Sequence, residues 1–330
     1  MKKILMIATG GTIASRHTDH GLAPQLSSDE ILERVPELNK YCSVETIQLF
    51  NLDSTNIFHY HWIRMVNCIR DNYDKFDGFV ITHGTDTMAY TASALSYMIQ
   101  NSRKPIVITG SQKSIYDRDT DARNNLISAF IYASDDRANG VHIAFDSKII
   151  LGTRARKTRT KSFNAFTSIN YPEVAVVSDG RLITYITEDI KNTEPDYYTE
   201  LDTKVFVLKL VPGLSADVIT ALKNMYDAII IEGFGVGGIP VYKDADFVSA
   251  IADCVSCGKT IVMTTQVMLE GSDMSVYEVG HDVKETFDLI EAYDMTTESV
   301  VTKLMWILGQ TKDRDEIKRL FYTSINNDII

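Results

Sequence analysis

The chain has no run approaching the ~18 consecutive apolar residues of a membrane helix, so no membrane-spanning segment is expected. It has little cysteine. Among Cys42, Cys68, Cys254 and Cys257 there is one Cys-x-x-Cys. No second Cys or His pair completes a zinc set, and the motif does not open a thioredoxin-like first helix. Two helix-borne thiols in ADCVSCGK, stopped by Gly258, explain it more simply. Positive charge is outnumbered: 33 Lys and Arg against 44 Asp and Glu leave a net charge of −11. That argues against broad nucleic-acid or anionic-membrane binding, while leaving room for a local basic site. There is no internal repeat and no low-complexity segment. Met1-Lys2-Lys3 leads straight into a short apolar run, unlike a signal peptide with its longer apolar region and small-residue cleavage site. A soluble cytoplasmic protein is expected, with no nucleic-acid or membrane partner.

What is present suits a large enzyme-like fold. The 330 residues, 45% of them hydrophobic, can fill two cores. Apolar strand patterns at Lys3 to Ala8, Val44 to Phe50, Phe79 to Thr82, Pro105 to Thr109 and Val141 to Phe145 alternate with helical ones at Phe58 to Phe76, Asp86 to Gln100 and Asp121 to Ser134. Such alternation means βαβ units and a largely parallel sheet. Val174 to Val177 and Leu182 to Ile186 flank Asp179-Gly180, a hairpin signal that breaks the parallel pattern. The polar stretch 188–203 reads as a linker. A second α/β run follows, with strands at Lys204 to Val211, Ala228 to Ile231 and Thr260 to Thr264. Its helices lie near Ala216 to Asn224, Ala245 to Cys257, Ser299 to Leu308 and Asp313 to Phe321. The predicted fold is therefore α/β, with two doubly wound domains, a larger one over 1–187 and a smaller one over 204–330.

The chemistry gathers at strand ends. Ala8 to Ser15 reads ATGGTIAS, placing Thr12 after two glycines at the carboxyl end of a central strand, where open α/β sheets bind ligands. Val80 to Thr87 (VITHGTDT) repeats the design with Thr85 and Asp86. Loops with Asp53, Ser54 and Thr55, and with Ser111 and Gln112, can converge on the same crevice. No histidine holds an obvious catalytic position; His83 suits a structural hydrogen bond. A threonine hydroxyl needs a base to become a nucleophile, and lysine can be that base when burial or nearby positive charge lowers its pKa. Arg154 to Arg159 (RARKTR) supplies clustered cations, which equally suit a solvated loop or a phosphate site. Gly10-Gly11-Thr12 fits neither a P-loop nor G-x-G-x-x-G. GFGVGG at Gly233 to Gly238 fits the latter, but Ile239-Pro240-Val241 stands where a helix should open, so a tight turn lining a cleft is expected.

Together these stretches resemble the bacterial-type L-asparaginase family, and its cytoplasmic type I branch in particular. ATGGTIAS and ITHGTDTMAYTASAL are similar to its two signature segments. TGSQ at Thr109 to Gln112, the Asp53-Ser54 loop and DMTTES near Asp294 add to the likeness. The resemblance implies hydrolysis of L-asparagine to L-aspartate and ammonia, with weak action on L-glutamine, no cofactor and no metal. It implies Thr12 as the nucleophile and a proton relay of Thr85, Lys157 and Asp86, Lys157 being counted back from Phe166-x-Ser168-x-Asn170. Asp53, Ser54, Thr55, Ser111 and Gln112, with Thr85 and Asp86, would hold the substrate. A backbone N–H in the Thr12 or Thr85 turn would bind the oxyanion. A homodimer or homotetramer is implied.

One departure stands out: Leu22 occupies the place where many members carry a lid tyrosine. Tyr277, in SVYEVG, is the candidate replacement, reaching the site across a subunit interface. Two alternatives remain: the asparaginase-like component of a tRNA-dependent amidotransferase, and a non-catalytic amino-acid-binding module. The first carries an additional N-terminal domain, and a first strand beginning by Lys3 argues against it. The second predicts binding without turnover.

Overall fold

A computed structural model describes residues 1–19, 21–188, 190, 194–241 and 246–330; the side chains of residues 17, 22, 278 and 279 lie outside that description. Two compact units divide the chain, Met1–Thr199 and Glu200–Ile330.

In the first unit the apolar run forms β1 (Lys3–Gly10), buried in all but its first residue. A short turn leads to the hairpin of β2 (Ser15–Thr18) and β3 (Gly21–Pro24). A capping box between Ser27 and Glu30 starts α1 (Ser28–Glu33), as that spacing predicts. Then come β4 (Ser43–Leu52), α2 (His59–Asn72), β5 (Gly78–Thr82), α3 (Met88–Met98), β6 (Ile99–Gln100), β7 (Ile106–Thr109), α4 (Ala122–Ala133) and β8 (Val141–Phe145). The unit continues with β9 (Lys148–Leu151), β10 (Ala155–Lys157), β11 (Phe166–Ser168), β12 (Ala175–Ser178), β13 (Arg181–Thr184) and β14 (Asp196–Tyr197).

Eight of these strands make one sheet in the order β13-β12-β9-β8-β7-β5-β1-β4. The five strands from β4 to β8 in that order are parallel, and β9, β12 and β13 turn antiparallel. Tight hairpins cause the reversal. Asp146 and Ser147 (φ 51° and 64°), and Asp179 and Gly180 (φ 50° and 71°), all take the left-handed conformation that two-residue hairpin turns require. The chain passes from β1 to β4 on one side, then crosses to β5 on the other. The strand order thus reverses at β1, and the crevice of a doubly wound sheet opens at its carboxyl end. Ile4, Met6, Val80, Val107, Leu126 and Phe130 belong to the core beneath it.

In the second unit β15 (Val205–Lys209), α5 (Asp217–Leu222), β16 (Ala228–Gly233), α6 (Phe247–Ser256), β17 (Thr260–Thr265), α7 (Glu278–Phe287), β18 (Ile290–Glu291), α8 (Thr297–Gln310) and α9 (Arg314–Tyr322) follow in turn. Its four strands are parallel, in sequential order. Ile219, Phe247, Ile251 and Val283, from α5, α6 and α7, pack with Ile229, Ile231 and Met263 of the sheet.

The structure differs from the sequence pattern in two places. Stretch 188–203 holds β14, which pairs with β6; 189 and 191–193 of it lie outside the described residues. Helix α7 has no counterpart in the pattern analysis. It is polar and carries Gly280 in its first turn, both of which lower its helix propensity, although Val279, Val283 and Phe287 recur at helical spacing. Tyr277 is the capping position of that helix. Ala245, the expected start of α6, lies outside the described residues.

The GFGVGG stretch closes as a tight turn. Phe234 N–H donates to Gly238 O (2.9 Å) and Gly238 N–H to Phe234 O (2.7 Å), with no helix opening on it. The Cys-x-x-Cys is split: Cys254 is buried in α6, its thiol pushed up to about 11 by burial, and Cys257 is exposed at the helix end.

Candidate active site

Strands β4, β1 and β5 lie side by side, and glycines let their end loops close on one another. A Cβ on Gly10 would come within 2.4 Å of the Leu52 backbone. One on Gly11 would come within 2.4 Å of Gly84 Cα and N, and one on Gly84 within 2.7 Å of the Ser54 side chain. Gly11 also has φ of 80°, so both its space and its conformation demand glycine. The Gly11-Thr12 and Gly84-Thr85 turns therefore touch backbone to backbone, setting the two threonines on either side of one contact.

Thr12 is half-buried and opens a short 3-10 turn, Thr12–Ala14. The turn is pinned at its base. Gly11 N–H donates to Leu52 O at 2.8 Å, Ser15 Oγ donates to Gly11 O at 3.0 Å, and Gln25 and Leu26 N–H both donate to Ala14 O at 2.9 Å. The β2–β3 hairpin follows, with Leu22 opposite His17; both side chains, and His20, lie outside the described residues.

Around Thr85 the structure brings four predicted residues together. Lys157 Nζ donates to Thr85 Oγ1 at 2.7 Å and to Asp86 Oδ1 at 2.6 Å. The Thr85 hydroxyl donates onward to Gln112 Oε1 at 3.3 Å. Lys157 ends β10, opposite Phe166 of β11. Arg154, at the head of the same basic run, is fully buried and sits 5.6 Å from the Tyr171 ring centroid. Arg154 is thus built into the fold, while Arg159 at the other end of the run is exposed.

Ser54 joins two loops. It is buried, its Oγ accepts from Asp86 N–H at 3.2 Å, and its carbonyl accepts from Thr87 Oγ1 at 2.8 Å. Asp53 Oδ1 accepts from Thr55 N–H at 2.9 Å and Thr55 Oγ1 at 2.8 Å, so the hydroxyl of Thr55 is held within its own loop. Ser111 is fully buried and its hydroxyl donates to Lys113 O, which shapes the loop that presents Gln112.

Sequence reasoning missed Asp121. Its carboxylate accepts from Gln112 N–H at 2.9 Å, Lys113 N–H at 3.1 Å and Asn125 Nδ2 at 3.1 Å. Burial raises its pKa, against those donors. Asn125 Nδ2 also donates to Gly110 O at 2.9 Å. The only trace in the sequence is an Asp just before a helix.

His83 is fully buried, and burial pushes it down to about 4. Its Nδ1–H donates to Gly84 O at 2.7 Å, so Nε2 is left to accept from Thr91 Oγ1 at 3.0 Å. Thr91 in turn accepts from Trp62 Nε1 at 3.0 Å. This neutral histidine braces the Gly84 turn from below.

Tyr277 belongs to the second unit. It is 65% exposed and lines a cavity with Gly237, Gly238, Asp273 and Met274. The segment is anchored: Met274 N–H donates to Glu291 Oε1 at 2.8 Å, and Lys284 Nζ bonds Glu291 Oε2 at 2.5 Å and Tyr293 OH at 3.0 Å. Burial disfavours the Lys284 ammonium, but these bonds outweigh it and hold the pKa above the usual lysine range. Among the described residues, no group of three or more His, Cys, Asp or Glu is placed to hold a metal ion.

A hydroxyl bonded to a lysine, itself bonded to a carboxylate, beside a second hydroxyl on a glycine turn, is an arrangement for nucleophilic acyl transfer. Comparison with known proteins agrees. The family described as "Asparaginase, N-terminal" matches residues 3–191, and "Glutaminase/Asparaginase C-terminal domain" matches 204–321. The chain is 41% identical to an L-asparaginase of Thermococcus kodakarensis over 99% of both chains. It is 34% identical to a glutamyl-tRNA(Gln) amidotransferase component of Pyrococcus furiosus, over 99% of this chain and 76% of that protein. The crystallised T. kodakarensis L-asparaginase superimposes with a TM-score of 0.94 over 99% of both chains. L-asparaginase I of Vibrio cholerae gives 0.89 at 29% identity, over 100% of this chain and 99% of that one.

Proposed function

This chain belongs to the asparaginase family, and on that premise we propose that it hydrolyses L-asparagine to L-aspartate and ammonia through a threonine acyl-enzyme. The observation that carries this is the Lys157 bridge to Thr85 and Asp86, backed against the Gly11-Thr12 turn. Thr12 Oγ1 attacks the side-chain amide carbon, and its proton passes to the amide nitrogen. The tetrahedral intermediate collapses and the nitrogen leaves as ammonia. Water, deprotonated through the Thr85–Lys157–Asp86 relay, then cleaves the ester and frees Thr12. Gly11 N–H and Asp86 N–H are already engaged, so oxyanion binding falls to the N–H groups of Thr12 and Thr85. Such donors can be worth several kcal/mol. Asp86 and the exposed Asp53 would meet the ammonium of the substrate, and the Ser54-Thr55 turn its α-carboxylate. Ser111 and Gln112 would shape that pocket, and L-glutamine would be a poor substrate.

The amidotransferase reading has less support, because identity to that protein is 34% against 41% to the L-asparaginase. The deciding assay is ammonia release from L-asparagine with stoichiometric L-aspartate. Saturable binding of L-asparagine without ammonia would sink the hydrolase and leave a binding module. A cytoplasmic setting is supported by the four free thiols, which suit a reducing compartment.

A homodimer or homotetramer is part of this proposal. Val267, Leu269, Val276 and Tyr277 are each more than half exposed on the second unit, apolar side chains that a second copy would cover. A two-fold contact could carry Tyr277 to the partner's Thr12. Tyr277→Phe should then lower kcat at unchanged Tm. Inactive Thr12→Ala and Tyr277→Phe chains, mixed and reassembled, should regain part of the activity. Mixed oligomers that stay inactive would rule out the shared site.

A further inference from the structure

A second cavity, of about 110 Å³, lies in the second unit where β17 and β18 begin. This is the end of the sheet opposite the loops that follow β16 and β17. Its floor is apolar, formed by Ile261, Ile290 and Ile317 with Val255. Its rim carries Lys259, Lys312, Arg314 and Lys318, with the acid Asp288 among them. Three separate segments supply these cations: the residue before β17, the residues leading into α9, and α9 itself.

The surrounding ion pairs do not balance. Asp227 is shared by Lys259 (2.9 Å), Lys312 (3.7 Å) and Lys204 (4.0 Å). Asp202 takes Lys312 as well. Asp288 is shared by Lys318 and, at 3.9 Å, Arg314. On the rim itself four cations meet one carboxylate, Asp288. Of the carboxylates that open α9, Asp313 caps Glu316 N–H at 2.9 Å, Glu316 pairs with Arg319 at 2.7 Å, and Asp315 stands in the first turn next to Arg314. Arg314 uses one terminal nitrogen on the carbonyls of Phe287 and Asp288. Its side chain and that of Lys312 remain more than half exposed.

A cationic surplus over an apolar cavity is unexpected in a chain of net charge −11. Like charges held together cost free energy unless an anion answers them. Arginine offers a planar fork suited to carboxylate and phosphate, and lysine a point charge beside it. A cavity needs about 10–15 Å³ to hold one water, so this one takes a small organic body.

We propose that this cavity binds a small organic anion, a carboxylate or phosphate monoester with a compact apolar body. The body lies on Ile261, Ile290 and Ile317, and the acidic group sits between Lys312 and Arg314. The site stands apart from the catalytic reading, and its test does not use turnover.

The experiment is isothermal titration of the full-length protein with phenyl phosphate, hexanoate, inorganic phosphate and hexylammonium. Saturating L-aspartate is present throughout, to occupy any other carboxylate site. Phenyl phosphate or hexanoate should bind saturably, and whichever is tighter identifies the head group. Inorganic phosphate should be at least about tenfold weaker and hexylammonium inert. Lys312→Gln and Arg314→Gln should each weaken binding about tenfold or more, the scale of a charge-assisted hydrogen bond. Arg314 also steadies the end of α7, so Lys312→Gln, with Tm measured, is the cleaner variant. Val255→Trp should block the body and erase the advantage over inorganic phosphate. The proposal is overturned if no probe binds saturably in the millimolar range, if affinity ignores the apolar body, or if both charge variants bind as the parent does.

Discussion

Thr12→Ala is expected to abolish turnover of L-asparagine, lowering kcat by about four orders of magnitude or more, while the protein stays folded and still binds substrate. Removal of a covalent nucleophile costs losses on that scale. The fold should not notice. Thr12 is half-buried, and the turn it opens is held by the Gly11, Ser15, Gln25 and Leu26 bonds, none of which uses the Thr12 hydroxyl. A stability change within about 1 kcal/mol is therefore expected. Thr12→Ser keeps the hydroxyl and should retain measurable turnover. Pre-steady-state ammonia release and a thermal melt on each variant decide the matter. If Thr12→Ala kept more than about a tenth of kcat, the nucleophile would lie elsewhere, and Thr85 would be the first place to look.

Much of the frame was legible because its signals are local. The buried run before Gly10, the two-residue hairpin signal at Asp179-Gly180 and the capping box at Ser27 each act within a few residues. Their physical causes are sterics and neighbouring hydrogen bonds, so they show in a single chain. The α/β class and the crevice at the end of β1 follow from strand–helix alternation. Helix α7 and strand β14 escaped. Helix α7 is polar, and β14 is two residues long and depends on a partner far along the chain, β6.

The candidate site divides in the same way. Thr12, Thr85 and Asp86 sit on glycine turns and announce themselves. Lys157 came only through the family resemblance, counted back from Phe166-x-Ser168-x-Asn170, and the β10–β11 pairing sets it opposite Phe166. Asp121 was invisible, since an Asp opening a helix reads as an ordinary cap. Its task is to gather N–H groups from a loop nine residues earlier. Arg154 was read with its neighbours as one basic run, although burial separates it from them. Nothing local in the sequence distinguishes a buried arginine from a solvated one.

Lys157→Met and Thr85→Ala should each cut kcat by about three orders of magnitude or more, and the double variant should be little worse than either single one. The geometry gives the reason. Lys157 Nζ touches both Thr85 Oγ1 and Asp86 Oδ1, so loss of either end breaks the same proton path. Residues that act as one unit are strongly non-additive. A stability defect would not account for such a loss. The Asp86 side chain is 58% exposed and that of Lys157 16%, so without Lys157 the carboxylate is solvated by water, and a thermal melt on each variant separates loss of activity from loss of fold. Lys157→Arg separates charge from proton transfer. Arginine keeps the positive charge beside Asp86 but does not give up its proton in proteins. A relay predicts that Lys157→Arg is nearly as inactive as Lys157→Met, whereas a purely electrostatic role predicts substantial rescue. Single-turnover kinetics on the four variants supply the values. Effects of Thr85→Ala and Lys157→Met that multiply in the double variant, together with rescue by arginine, would replace the relay with two independent contributions.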